Sequence, residues 1–160
     1  MKKLAAIIAI VLLAGCTDPP KEPDPPHPCG SPIRTDALPT WARGGFTDDG
    51  SGSQHVYGAR NEILAVLFGA PLTSPPDADR GNKILWVSRQ PIVTGDRLEI
   101  TAELDGTGVR SAQTVPGGPG PSIVDLPRAG CWHLTLSWSG RTDTMELTYQ
   151  PPTSATVRPS

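Results

Sequence analysis

The chain has 160 residues, of which 19 are proline and 17 glycine, and its 14 Lys and Arg against 16 Asp and Glu leave a formal net charge of -2. The cations are scattered, so a nucleic-acid binder, which needs a Lys/Arg cluster to neutralise phosphates, is excluded, and so is attachment to a membrane through a polybasic patch. One folded unit of about 120 residues fits once the proline-rich ends are set aside.

The first fifteen residues carry Lys2 and Lys3, then an apolar run from Leu4 to Leu13, then the small residues Ala14 and Gly15. Charge, apolar stretch and small residues in that order predict a signal peptide over 1–15, forming a short helix. The run is half of the roughly 20 apolar residues that a membrane-spanning helix needs. Without Lys2 and Lys3 the exported chain carries a formal charge of about -4 on the same count.

Leu13-Ala14-Gly15-Cys16 resembles the lipobox of bacterial lipoproteins. The resemblance implies a diacylglyceryl group, carrying acyl chains such as palmitate, on the sulfur of Cys16. It also implies cleavage between Gly15 and Cys16 and acylation of the new amino terminus. Two or three chains, at about 0.8 kcal/mol per buried methylene, hold a protein far more firmly than one. The expected place is therefore the extracytoplasmic face of the cell membrane, with the lipid on Cys16 as the membrane partner. Thr17 follows the cysteine where Asp would signal retention at an inner membrane.

With Cys16 lipidated, Cys29 and Cys131 remain as a pair in an oxidising compartment, and a disulfide between them is expected. Between these points Thr17 to Pro32 reads TDPPKEPDPPHPCGSP. Its prolines favour extended polyproline backbone, which makes 16–32, the lipidated cysteine included, a stalk. At about 3.1 Å per residue, such a stalk would hold the domain up to roughly 45 Å from the bilayer.

The segment from Ile33 to Ser53, with Trp41 and Phe46 among glycines, reads as an irregular lead-in lying over a sandwich, Trp41 acting as a core cover. Asp48-Asp49-Gly50-Ser51-Gly52-Ser53 has turn chemistry, with a flexible loop as its expected form. Gln54 to Tyr57 is a short strand. Asn61 to Phe68 is apolar on both faces, as a central strand would be. Pro71, Pro75 and Pro76 exclude the connector Gly69 to Gly81 from a central strand, and Lys83 to Arg89 is the next short strand.

Arg97 to Leu104 alternates, with Leu98, Ile100, Ala102 and Leu104 on one face, which is the pattern of a half-buried strand. Asp105-Gly106 is a hairpin signal, and Val109 to Val115 forms the return strand. A glycine and proline cluster then precedes a short run from Ile123 to Leu126. Trp132, Leu134, Leu136 and Trp138 alternate inward, leaving His133 outward, and Met145, Leu147 and Tyr149 do so after a turn at Ser139-Gly140-Arg141. Pro151 to Ser160 is expected to be a loose tail.

About seven short strands and no helical periodicity after the signal predict an all-β fold, an immunoglobulin-like antiparallel β-sandwich over 33–150. Leu38-Pro39-Thr40-Trp41-Ala42-Arg43, Gly81-Asn82-Lys83-Ile84-Leu85-Trp86-Val87, Val115-Pro116-Gly117-Gly118-Pro119-Gly120-Pro121-Ser122 and Ala129-Gly130-Cys131-Trp132-His133-Leu134-Thr135-Leu136 resemble uncharacterised small lipoproteins of high-GC Gram-positive bacteria. That resemblance covers most of the domain. It implies the same compartment and fold class and brings no catalytic residue.

The chain carries no complete catalytic or metal-binding pattern. Asp77-Ala78-Asp79-Arg80-Gly81-Asn82 resembles the start of a calcium loop, yet Gly81 precedes Asn82 and the twelfth position is Ser88, so an acidic turn is the expected form. His27, His55 and His133 stand singly, without zinc spacing. No Gly-x-Ser-x-Gly occurs, and in Gly117-Gly118-Pro119-Gly120 the proline lacks the amide a phosphate loop needs. The expectation is a binding or accessory module, not an enzyme, without a cofactor, meeting an envelope protein or a glycan. The alternative is an extracytoplasmic hydrolase whose acids, Asp77 or Asp79 among them, assemble only in the fold.

Overall fold

The computed structural model describes residues 30–152. The expected signal peptide with Gly15, Cys16, the expected stalk through Cys29 with His27, and residues 153–160 of the expected tail lie outside the described residues. Eight strands follow one short 3-10 turn, Thr40–Ala42: β1 His55–Tyr57, β2 Ile63–Leu67, β3 Lys83–Ser88, β4 Arg97–Leu104, β5 Arg110–Pro116, β6 Pro121–Ile123, β7 Gly130–Trp138 and β8 Arg141–Tyr149. They form two antiparallel four-stranded sheets, in the orders β1-β2-β3-β6 and β5-β4-β7-β8.

Alternation builds the space between the sheets. Leu98, Ile100, Ala102 and Leu104 of β4, Trp132 to Trp138 at even positions of β7, and Met145, Leu147 and Tyr149 of β8 are buried, as their spacing predicts. They pack with Ile63, Ala65, Leu67, Ile84 and Trp86 from the other sheet. Each large amphipathic ring in this core has its polar atom satisfied. Trp86 Nε1 donates to Ser122 Oγ, Trp132 Nε1 to the Arg128 carbonyl, Trp138 Nε1 to Ser88 Oγ and the Tyr149 hydroxyl to the Val124 carbonyl.

β2 is buried along its whole length, because a second cluster covers its outer side. Leu38 and Ala42 of the lead-in pack on Leu64 and Val66, with Trp41, Phe46, Leu85 and Val87 around them. Trp41 is thus part of a cover, as expected. The stretch from Asp48 to Ser53 is a held loop and not a loose one. The Asp48 and Asp49 carboxylates accept the Gly50 and Ser51 N–H groups, and the Leu38 N–H donates to the Asp49 carbonyl. Gly50 has φ +73, and a Cβ there would run into the Leu38 side chain, so both backbone and packing require glycine.

Three details differ from the sequence expectation. The last hairpin turns on two residues: Ser139 and Gly140 both have positive φ, at 44° and 71°, which is the type I′ pattern. Around the short run from Ile123 to Leu126, an eighth strand forms at Pro121–Ile123. Val124 and Leu126 leave the ladder and plug the core. The connector after β2 contributes a single parallel bridge, Thr73 to Gln150.

Candidate functional site

The two sheets differ in what their outer sides meet. The lead-in closes one with apolar side chains, whereas the outer face of β5-β4-β7-β8 carries exposed polar residues at alternate positions. Register turns that alternation into rows. One row crosses the sheet as Arg110, Glu103, His133 and Glu146, and the next as Ala112, Thr101, Thr135 and Thr144.

The charged row is internally paired. Arg110 Nε donates to Glu103 Oε2 at 3.0 Å, and His133 Nδ1 lies 2.9 Å from Glu146 Oε1. Asp105, on the turn after β4, approaches His133 Nε2 at 3.6 Å. It is placed there by a glycine-rich loop in which the Asp105 N–H donates to the Cys131 carbonyl and the Thr107 hydroxyl to the Leu104 carbonyl. Carboxylates thus stand at both ring nitrogens, Glu146 at Nδ1 and Asp105 at Nε2, and orient the imidazole on the sheet surface. A groove of about 470 Å³ runs over these residues, lined among others by Thr101, Glu103, Arg110, Ser111, His133 and Thr135.

The lead-in reaches the same row from the β8 side. Glu146 Oε2 accepts the Gly30 N–H at 3.2 Å, the Ser31 N–H donates to the Glu146 carbonyl, and the Glu146 N–H donates to Ser31 Oγ. One carboxylate therefore holds both the entry of the chain and the histidine of the groove. Chemically, the face offers hydroxyls, carboxylates, a guanidinium and an imidazole, a set suited to a polar ligand. A second cavity, of about 530 Å³, lies where the lead-in crosses the sandwich edge, with Ile33, Leu67, Pro71, Leu72 and Leu147 in its wall.

Cys131 is disulfide-bonded and stands on this outer face opposite Thr148; its expected partner Cys29 and the expected lipid-attachment residue Cys16 lie outside the described residues. Asp77 and Asp79 sit in a turn of their own. Asp77 Oδ1 accepts the Asp79 N–H, the Asp77 carboxylate lies 3.8 Å from Arg80, and the Asp77 N–H donates to Thr73 Oγ1. Asn82 is buried, exchanging two hydrogen bonds with the Thr73 backbone and donating a third to Asp125. His55 is also buried, donating Nδ1–H to the Ser53 carbonyl, with Asp36 3.7 Å from Nε2.

Sequence reasoning placed His133 outward but did not pair it with Glu146. The signal was present: a two-residue turn fixes the register of its hairpin, so His133, five residues before Trp138, meets Glu146, five after Arg141. No protein-family model, curated protein or solved structure matches this chain.

Proposed function

We propose that this is a lipid-anchored envelope protein whose β-sandwich binds a polar, hydroxyl-rich envelope component, a glycan strand in particular. The observation that carries the reading is the open row of fixed ion pairs and threonines on one sheet, opposite a sheet closed by its own lead-in. Ligand hydroxyls both donate and accept, and the groove presents both kinds of partner within one flat surface. The anchor is the diacylglyceryl group on Cys16, expected from the Leu13-Ala14-Gly15-Cys16 signal.

The assigned disulfide is Cys29 to Cys131. Its support is the position of Gly30: the site of a Cβ on Gly30 lies 3.1 Å from Thr148 Oγ1, and Thr148 is the cross-strand neighbour of Cys131. The immunoglobulin-like reading is one of shape, two packed antiparallel sheets. The strand order is its own, since an immunoglobulin constant domain would put strands 1-2-5-4 in its first sheet.

Two experiments test the proposal. Cys16→Ser should move the protein from the membrane to the soluble fraction and abolish labelling with radioactive palmitate. Co-sedimentation with purified cell-wall glycan should retain the wild-type protein, and the Arg110→Ala/His133→Ala/Thr135→Val variant should remain in the supernatant. Equal pelleting of the two, with both proteins folded, would overturn the binding role.

A further inference from the structure

The polar sheet has one covered edge and one open one. At β8 the lead-in and the 58–62 turn occupy the edge, with Ser31 N–H on the Glu146 carbonyl and Ala59 N–H on the Thr144 carbonyl. At the other end of the order β5-β4-β7-β8, β5 has β4 as its only sheet partner among the described residues. The Leu104 N–H donates to the Val109 carbonyl. Since the hydrogen-bonding direction alternates along a strand, Ser111, Gln113 and Val115 also face β4, and Arg110, Ala112 and Thr114 direct their main-chain groups away from the sheet. All three are exposed.

Open edges are ordinarily blunted by a lysine, a mid-strand proline, a bulge or a covering loop. β5 pairs with β4 without a bulge from Arg97↔Pro116 to Glu103↔Arg110, and its one proline is its last residue. We propose that β5 pairs antiparallel with β5 of a second copy of this chain, about a two-fold axis at Ala112, joining two four-stranded sheets into one of eight.

The choice of a second copy rests on charge. With Ala112 opposite its own counterpart, Arg110 faces the partner's Thr114. Thr114 Oγ1 donates to Glu99 Oε2 at 2.7 Å within its own chain, as Arg110 Nε does to Glu103. The row through the interface then reads Glu103, Arg110, the partner's Thr114, the partner's Glu99, which sets each guanidinium between two carboxylates; the axis repeats the arrangement. Small side chains, Ala112 in both copies, meet at the centre, where nothing obstructs approach. Below the edge, Ile123 of β6 is 52% exposed and accepts Gln113 Nε2–H at its carbonyl, so each copy brings an apolar side chain to the same flank. The groove over Arg110 and Glu103 continues across the axis, giving the dimer two copies of the polar face side by side.

The test uses the full-length lipoprotein in its membrane. Facing residues of a hydrogen-bonded antiparallel pair lie about 5.5 Å apart at Cα, inside the span a disulfide bridges. Under mild oxidant, Ala112→Cys should give a reducible species of twice the monomer mass. Thr101→Cys, also exposed on the same face but one strand inward, should give at least about tenfold less. Ala112→Pro, which removes an outward amide, should shift the detergent-extracted protein from dimer to monomer in sedimentation. His133→Ala should leave the dimer unchanged, which separates this surface from glycan binding. Failure of Ala112→Cys to cross-link, cross-linking to a different polypeptide, or equal yields from the two cysteines would each overturn the pairing; if Ala112→Pro does not fold, the cysteine comparison decides alone.

Discussion

Two aspartates show how single residues hold loops to this sandwich. Asp143 is 1% exposed and accepts three backbone N–H groups, from Arg60, Glu62 and Thr144. It thereby replaces the sheet partners that the 58–62 turn lacks. Hydrogen bonds to charged groups are worth about 1.5–3 kcal/mol, and their loss leaves buried donors unpaired, so Asp143→Ala should cost about 3 kcal/mol. The check is a lowered urea midpoint at unchanged slope. Asp96 works at the next turn. The Arg97 N–H, then the hydroxyl and N–H of Ser139, hold its carboxyl below the ordinary aspartate range, and Val93 N–H donates to Ser139 Oγ. A carboxyl lowered by folding contributes stability above the unfolded value of about 3.9 and loses it as pH falls through the folded value. The Ser139 amide resonance should therefore titrate with a midpoint below about 3.9, and Asp96→Asn should remove that step. A wild-type midpoint at or above the ordinary value would contradict the assigned bonds.

At the scale of elements, the lead-in acts as a strap. Leu38 is fully buried between it and β2, so Leu38→Ala should destabilise by about 3 kcal/mol, within the range for leucine truncations in a core. Amide exchange along Ile63–Leu67 should quicken, since the strap shields that strand; an effect confined to the lead-in would show that it does not. Gly50→Ala should act in the same direction, as it puts a Cβ into Leu38. Much of this level is legible in the sequence. Alternation gives β4, β7 and β8 nearly to the residue, because each has one wet and one dry face. The double-sided apolar pattern of β2 gives its central burial, and the aromatics of the lead-in give its covering role. Sheet membership is not legible. β6 has three residues, too few for a period, and it joins β3 only through Lys83, Ile84 and Leu85. Asp143 fails for a related reason: it lies on the inward face, and its partners are main-chain amides some eighty residues away, of which no side-chain pattern gives notice.

At the scale of the whole molecule, the proposed anchor would act on the face of β4, β5, β7 and β8 through the entering chain. The entering chain touches that sheet at Glu146, whose carboxylate binds Gly30 N–H on one oxygen and His133 on the other. The proposed Cys29 to Cys131 bond would fix the same region covalently, two residues from His133 on the same face of β7. Closing about a hundred residues removes chain entropy from the unfolded state, worth up to about 4.7 kcal/mol before strain is subtracted. Reduction should therefore lower the melting temperature, Cys29→Ser should match the reduced wild type, and the variant should be insensitive to reductant. A wild type that melts alike with and without reductant would leave the staple no role in stability. The same variants separate staple from site. If Gly30 stays on Glu146 without the bond, the His133 resonances keep their wild-type shifts. If it departs, Glu146 is released to solvent, His133 loses its fixed orientation, and glycan retention should fall together with stability. The proposed covalent entry point would then hold the proposed binding face in order as well as tie the domain to the expected stalk.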